Sequence, residues 1–266
     1  MISFIVLKGG LGNQAFQYML GTMIEASNNT RMIFIDYTKN NSVKRDLDVF
    51  TIFPKNGYYV VKNRYVAGFF VHGFRLLSRL GLRSVCVFKK SYQMPSHWMN
   101  FYYEGYFQNC RVIGDQFIKK IEYDVFPRLC EKKVSDRILV GIHFRRGDYI
   151  NDGNYSLLSE EYYTKAVRYI YERVHNPLFV VFSDSNSELS HAFFKKLDIE
   201  YMIASSLSAT DDFLCFASSQ HYIISNSSFS LSASLLGRNA MSICVGPLSW
   251  GNETNTPVYD DNWYLI

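Results

Sequence analysis

With 266 residues, 48% of them hydrophobic and 20% charged, the chain reads as a soluble globular protein, either one large α/β domain or two of ordinary size. Five scattered cysteines (Cys86, Cys110, Cys130, Cys215 and Cys244) are odd in number and form no CxxC pair, which argues against a disulfide framework or a zinc site and for a reducing cytoplasm. The net charge of +4 gives no reason to expect a nucleic-acid partner, yet residues 49–103 contain no Asp or Glu and form a local basic block.

The amino end runs into the apolar stretch 2–7 with no basic segment before it, so neither a signal peptide nor a transmembrane helix is expected. That stretch reads as a strand. A glycine-rich turn follows at 8–14, then a helical pattern with Phe16, Met19, Leu20, Met23 and Ile24 on one side, then a second strand at 31–36. Such a βαβ opening places loop amides and a helix N-terminus where phosphate can bind. Gly10, Gly12 and Ala15 also fit a dinucleotide fingerprint, with Asp36 about twenty residues further on, so a nicotinamide or flavin enzyme is a second reading.

Within 60–90, Phe69, Phe70, Phe74, Leu76, Leu77 and Leu80 alternate with the cations of the basic block. This pattern fits an amphipathic helix on an anionic membrane surface, and equally a helix packed on the core with a solvated basic face. The cluster of aromatic and amide residues at 97–109 reads either as an acceptor-sugar platform or as a strand with one buried face. Polar residues 128–136 mark a boundary, giving domains 1–133 and 134–266, with a tail that could cross back to the first.

Beyond the boundary the pattern becomes regular. Strand-like runs at 138–143, 178–183, 199–203, 221–225 and 241–245 alternate with helical patterns at 159–175, 187–197, 210–219 and 229–236. Strict alternation predicts a parallel sheet with right-handed crossovers, a Rossmann-like domain. All strands of such a sheet point one way, so the residues just after each one gather on a single edge. Here they are HFRRGDY at 143–149, Ser183-Asp184-Ser185, and NSSFS at 226–230. The first supplies cations for an anion, the second an acid for a guanine edge or a ribose, and the third hydroxyls and helix-start amides for phosphate oxygens. Together with the glycine loop they describe a nucleotide diphosphate held between two Rossmann-like domains. Read alone, the first motif is also compatible with a turn in which Asp148 pairs with Arg145 or Arg146.

GGLGNQ at 9–14, HFRRGDY at 143–149, FSD at 182–184 and NSSFS at 226–230 occur in an order and spacing that resemble the bacterial galactoside α-1,2-fucosyltransferases. LDVF at 47–50, EGYFQ at 104–108 and the Tyr162-Tyr163 pair extend the resemblance from residue 3 to about residue 248. The HxRRxD core is shared with α-1,6- and protein O-fucosyltransferases, whereas the glycine loop and the serine-rich block narrow the match. The resemblance implies an α/β fold of the GT-B type, with two Rossmann-like domains facing across a cleft. It implies inverting transfer of L-fucose from GDP-β-L-fucose to the 2-hydroxyl of a galactose-terminated glycan, with no metal and no cofactor. The acceptor would be lipid-linked or part of a surface polysaccharide.

By the same resemblance Arg145 would hold the β-phosphate and His143 would lie against the nucleotide. Arg146 and Asp148 would brace their loop. Asp148 is also the nominee for general base, with a base-poor dissociative route as the alternative. Gly10, Gly12, Asn13 and Gln14 would close over the donor, and Asp184, Ser227, Ser228 and Ser230 would complete its site. Two departures stand out. Asp184 is followed by Ser185 where the family often has a second acid, and Leu231-Ser232 replaces a Trp pair common in the family.

Overall fold

The computed structural model describes residues 1–40, 44–53, 57–95, 100–117, 137–146, 157–183, 187–204, 208–251 and 256–266. They form two compact units, one ending at Phe117 and the other running to Ile266. The boundary expected between 133 and 134 lies outside the described residues.

The first unit is built on a five-stranded sheet, order β3-β2-β1-β5-β4, with every pairing parallel. Its strands are β1 (Ile2–Leu7), β2 (Arg31–Asp36), β3 (Tyr59–Val61), β4 (Val85–Val87) and β5 (Tyr102–Glu104). β1 is central and covered on both faces, which is why it reads as an unbroken apolar run. Its side chains alternate between two helical layers. Ile5 approaches α1 (Leu11–Asn28) at Gly21, whereas Phe4 and Val6 meet α3 (Arg64–Arg79) through Val71, Phe70 and Phe74. A short α2 (Val49–Ile52) precedes β3, and α4 (Cys110–Phe117) closes the unit.

β5 resolves the two readings of 97–109. Tyr102, Tyr103 and Phe107 are all buried, and the ring of Tyr102 packs 4.3 Å from that of Phe74. These aromatics are core, not a sugar platform; 96–99 lie outside the described residues.

The second unit has a six-stranded, all-parallel sheet in the order β11-β10-β9-β6-β7-β8. Its strands are β6 (Ile138–Phe144), β7 (Pro177–Ser183), β8 (Tyr201–Ile203), β9 (His221–Ile223), β10 (Cys244–Gly246) and β11 (Tyr264–Leu265). The connecting helices are α5 (Glu160–Tyr171), α6 (Ser187–Phe194), α7 (Ala209–Ala217) and α8 (Ser228–Gly237). Numbered within the unit, the strands run 3-2-1-4-5-6, so the chain reverses its direction of travel between β6 and β9. Open parallel sheets bind ligands at the carboxyl edge of such a reversal.

Helix starts follow from capping side chains. Ser159 accepts from Tyr162 N at the head of α5, Ser208 from Asp211 N at α7, and Ser227 from Phe229 N at α8. α5 lays Tyr163, Ala166, Val167 and Ile170 against Val140, Ile142 and Phe144 of β6. α8 ends where a Cβ on Gly237 would stand 1.5 Å from the Ala217 carbonyl oxygen, so only glycine admits this approach to α7. β10 starts later than the predicted 241, because Met241 is 83% exposed in a turn whose Asn239 and Ser242 bond each other. In the described part of the tail, β11 pairs with β10 and extends the sheet edge.

Candidate functional site

At the carboxyl edge of the second sheet, β6 delivers His143, Arg145 and Arg146, and β9 delivers Ser225, Asn226 and Ser227 into the start of α8. His143, Ser225, Asn226, Ser227 and Ser230 are all at least 94% buried, an unfavourable placement for polar groups unless each has a partner. The partners are local. His143 Nδ1 and Ser225 Oγ are 2.8 Å apart, and the imidazole lies 5.4 Å from the Phe229 ring. Arg145 Nη1 donates to Ser227 Oγ at 2.9 Å. The guanidinium therefore stands at the first turn of α8, where the helix dipole favours an anion.

Two tyrosines fix this edge from α5. Tyr163 donates to the His143 carbonyl at 3.1 Å and Tyr162 to the Ile224 carbonyl at 2.6 Å, so one helix ties down the ends of both strands flanking the reversal. Burial pushes the Tyr162 hydroxyl well above its usual pKa, so it remains a neutral donor. Arg146 lies over aromatic faces, 4.7 Å from the Phe144 ring and 5.9 Å from that of Tyr163.

The three serines have distinct local surroundings. Ser227 orients Arg145 and caps α8, Ser230 Oγ donates to the Ser227 carbonyl at 3.3 Å, and Ser228 is half-exposed in the first helical turn. Asp148 and Asp184 lie outside the described residues.

The first unit has its own reversal, between β1 and β5, and the glycine loop sits there. Gly9 takes φ +80°, which disfavours a side chain, and a Cβ there would stand 2.7 Å from Asn13 Nδ2. Asn13 Oδ1 accepts from Gln108 Nε2 at 2.7 Å, tying the loop to the end of β5. Gln17 bridges Lys8 N and the Gly105 carbonyl. A Cβ on Gly10 would meet nothing within 4 Å, whereas Gly12 is buried in the first turn of α1.

Gln14 is fully buried. Its Nε2 donates to the Gly9 and Asp46 carbonyls, and its Oε1 accepts from Asp48 N and Val49 N. Its carboxamide joins the glycine loop to the head of α2. Asp36, the acid of the dinucleotide reading, accepts from Thr38 N and Oγ1 and shapes its own turn.

The sequence reading missed the charge cluster beneath this loop. Glu104, 2% exposed, receives Lys8 Nζ at 2.9 Å, the Arg75 fork at 2.6–3.2 Å and the Tyr102 hydroxyl at 3.1 Å. Burial alone would raise the Glu104 pKa, but the Arg75 hydrogen bonds and Lys8 outweigh it and hold the carboxyl below the usual range. Arg75, counted in sequence among the cations of the basic block, is turned inward. The available signals were Lys8 directly after a strand and Glu104 as a lone acid after a long acid-free run.

The family model described as glycosyl transferase family 11 matches residues 2–266. An alpha-1,2-colitosyltransferase of Escherichia coli is 26% identical over 287 residues, covering 98% of this chain and 97% of that protein. The Escherichia coli O-antigen biosynthesis glycosyltransferase WbnK is 26% identical over 305 residues, covering 97% and 98%. Among solved structures, the fucosyltransferase NodZ from Bradyrhizobium superposes with a TM-score of 0.52 at 13% identity over 89% of this chain and 93% of that one. A family 9 glycosyl transferase from Veillonella parvula gives 0.51 at 11% identity over 99% and 86%. These likenesses concern the fold, and the α/β architecture of GT-B type expected from sequence agrees with them.

Proposed function

The chain belongs to glycosyl transferase family 11, and from that membership we propose that it transfers L-fucose from GDP-β-L-fucose to the 2-hydroxyl of a galactose, inverting the anomeric carbon. The glycan acceptor is a lipid-linked repeat unit of an O-antigen or another surface polysaccharide, handled in the cytoplasm. The observation that carries the reading is Arg145, tied to Ser227 at the head of α8, on the sheet edge where the strand order reverses.

Departure of the diphosphate builds negative charge on its β-phosphate while the sugar becomes oxocarbenium-like. Donors fixed in advance around that charge lower the barrier most. Arg145 offers a planar fork already oriented by Ser227, and the first amides of α8 add partial positive charge along the same line. His143, held by Ser225, forms one wall of the nucleotide pocket. With this charge compensation the reaction needs neither metal nor cofactor. Asp148 is the proposed base for the acceptor hydroxyl. Glu104 is poorly suited to that role, because Lys8 and Arg75 hold it ionised and already hydrogen-bonded.

A second donor sugar is favoured by one observation, the 26% identical relative named as a colitosyltransferase. Colitose is L-fucose without its 3-hydroxyl, so the same diphosphate machinery serves either. The nicotinamide reading of the glycine loop gives way to the family membership. Calorimetry with GDP, UDP and NAD in excess chelator tests the donor class: GDP alone should bind. Binding of NAD, or a strict metal requirement for GDP, would overturn the reading.

A further inference from the structure

We infer that α3 is a membrane-docking element whose outer face rests on an anionic phospholipid surface. The helix is apolar on two opposite sides. Ala67, Gly68 and Val71 face inward onto the sheet, with Phe70 and Phe74 packed beside them. On the opposite side Tyr65, Phe69, Leu76 and Leu80 are 77%, 78%, 56% and 74% exposed. At 3.6 residues per turn these four fall within about 60° of arc, a largely apolar stripe that runs from Tyr65 to the C-cap Leu80 and is interrupted at mid-helix by the exposed His72 and Gly73. Scattered exposed apolar residues are ordinary, but an aligned stripe on a helix whose other side already fills the core calls for a partner.

Charge identifies that partner. Lys62 and Arg64 are exposed at the head of the stripe and Arg79 and Arg83 at its foot. No acidic residue lies anywhere between 49 and 103. A second copy of the chain meeting this face about a two-fold axis would set cations against cations with no carboxylate in the block to pair them. Nucleic acid would match the charge but leave Leu76 and Leu80 without a role. An anionic bilayer satisfies both, with phosphates for the cations and the upper acyl region for the apolar stripe. Tyr65 suits the headgroup boundary. At 16 residues α3 is too short to span, and among the described residues no helix is long and apolar enough to cross a membrane. The helix would lie in the plane of the surface.

The test is co-sedimentation of the purified full chain with vesicles of pure phosphatidylcholine, or of equal parts phosphatidylcholine and phosphatidylglycerol. The chain should pellet with the anionic vesicles at low salt, stay in solution with the neutral ones, and be released by salt. Arg79→Glu with Arg83→Glu should lower the partition coefficient by at least about fivefold per position. Phe69→Ser with Leu76→Ser should lower it at least about tenfold, leaving the melting temperature and GDP affinity unchanged. Failure to pellet, binding indifferent to lipid charge, or binding unaffected by either pair of substitutions would overturn the inference. So would a dimer in solution that Phe69→Ser and Leu76→Ser dissociate, which would give the stripe to a second copy. The readout is sedimentation, so the inference survives or fails independently of which sugar is transferred.

Discussion

Arg145 joins two statements about the same side chain: where the fold places a cation, and where the chemistry requires one. Its 2.9 Å bond to Ser227 orients the guanidinium, so in the proposed reaction little reorganisation would remain for the transition state. A lysine keeps the charge but loses the fork, and its ammonium reaches Ser227 and a phosphate oxygen less well at once. Arg145→Lys should reduce kcat roughly tenfold to a thousandfold, the scale of losing one fixed transition-state donor. Near wild-type turnover of the purified variant would remove Arg145 from the proposed role. At this scale the sequence revealed residue types but not partners. Gln14 and Ser227 were legible as polar groups at a ligand edge. Gln14 bonds backbone amides and carbonyls and Ser227 bonds Arg145, and rotamer and burial, which set these partners, are not written in motif spacing.

Glu104 works at the scale of elements, because its carboxylate joins the end of β1 through Lys8, α3 through Arg75, and β5 on which it stands. Removing one member of such a buried group leaves the others uncompensated. Glu104→Gln should therefore destabilise the first unit by about 3–5 kcal/mol at neutral pH. The wild-type carboxyl has a folded pKa below its unfolded value. Its contribution is thus complete above about pH 4.3 and is lost as pH falls through the lowered folded value. Denaturant unfolding over an acid series should show a steep loss for wild type and a flatter one for the variant. Equal stability and equal pH dependence would mean that the cluster does not hold these elements together.

Elements were legible where period and length cooperate. β6, β7, α5, α7 and α8 lie within a few residues of their predicted bounds, helped by the serine caps. The three-residue strands β3 and β4 and the two-residue β11 are too short to show a period, and β5, buried throughout, shows no alternation to read.

For the whole molecule, the all-parallel character of the second sheet followed from alternation, but its strand order did not, since pairing β6 with β9 is a contact between residues about eighty positions apart. That order is what turns separate motifs into one edge. It brings His143, Arg145, Ser225 and Ser227 together, with Tyr162 and Tyr163 fixing the strand ends beneath them. Family membership places the chain among glycosyltransferases. The direct measurement is a transfer assay with the purified chain in chelator, offering GDP-fucose, GDP-colitose, GDP-mannose and UDP-galactose to a β-galactoside acceptor, with the product linkage assigned by NMR. GDP-fucose should be consumed fastest and yield an α-1,2-linked product. Preference for GDP-colitose would move the donor to the second reading, whereas use of UDP-galactose, or attachment at any hydroxyl other than the 2-position, would contradict the proposed function.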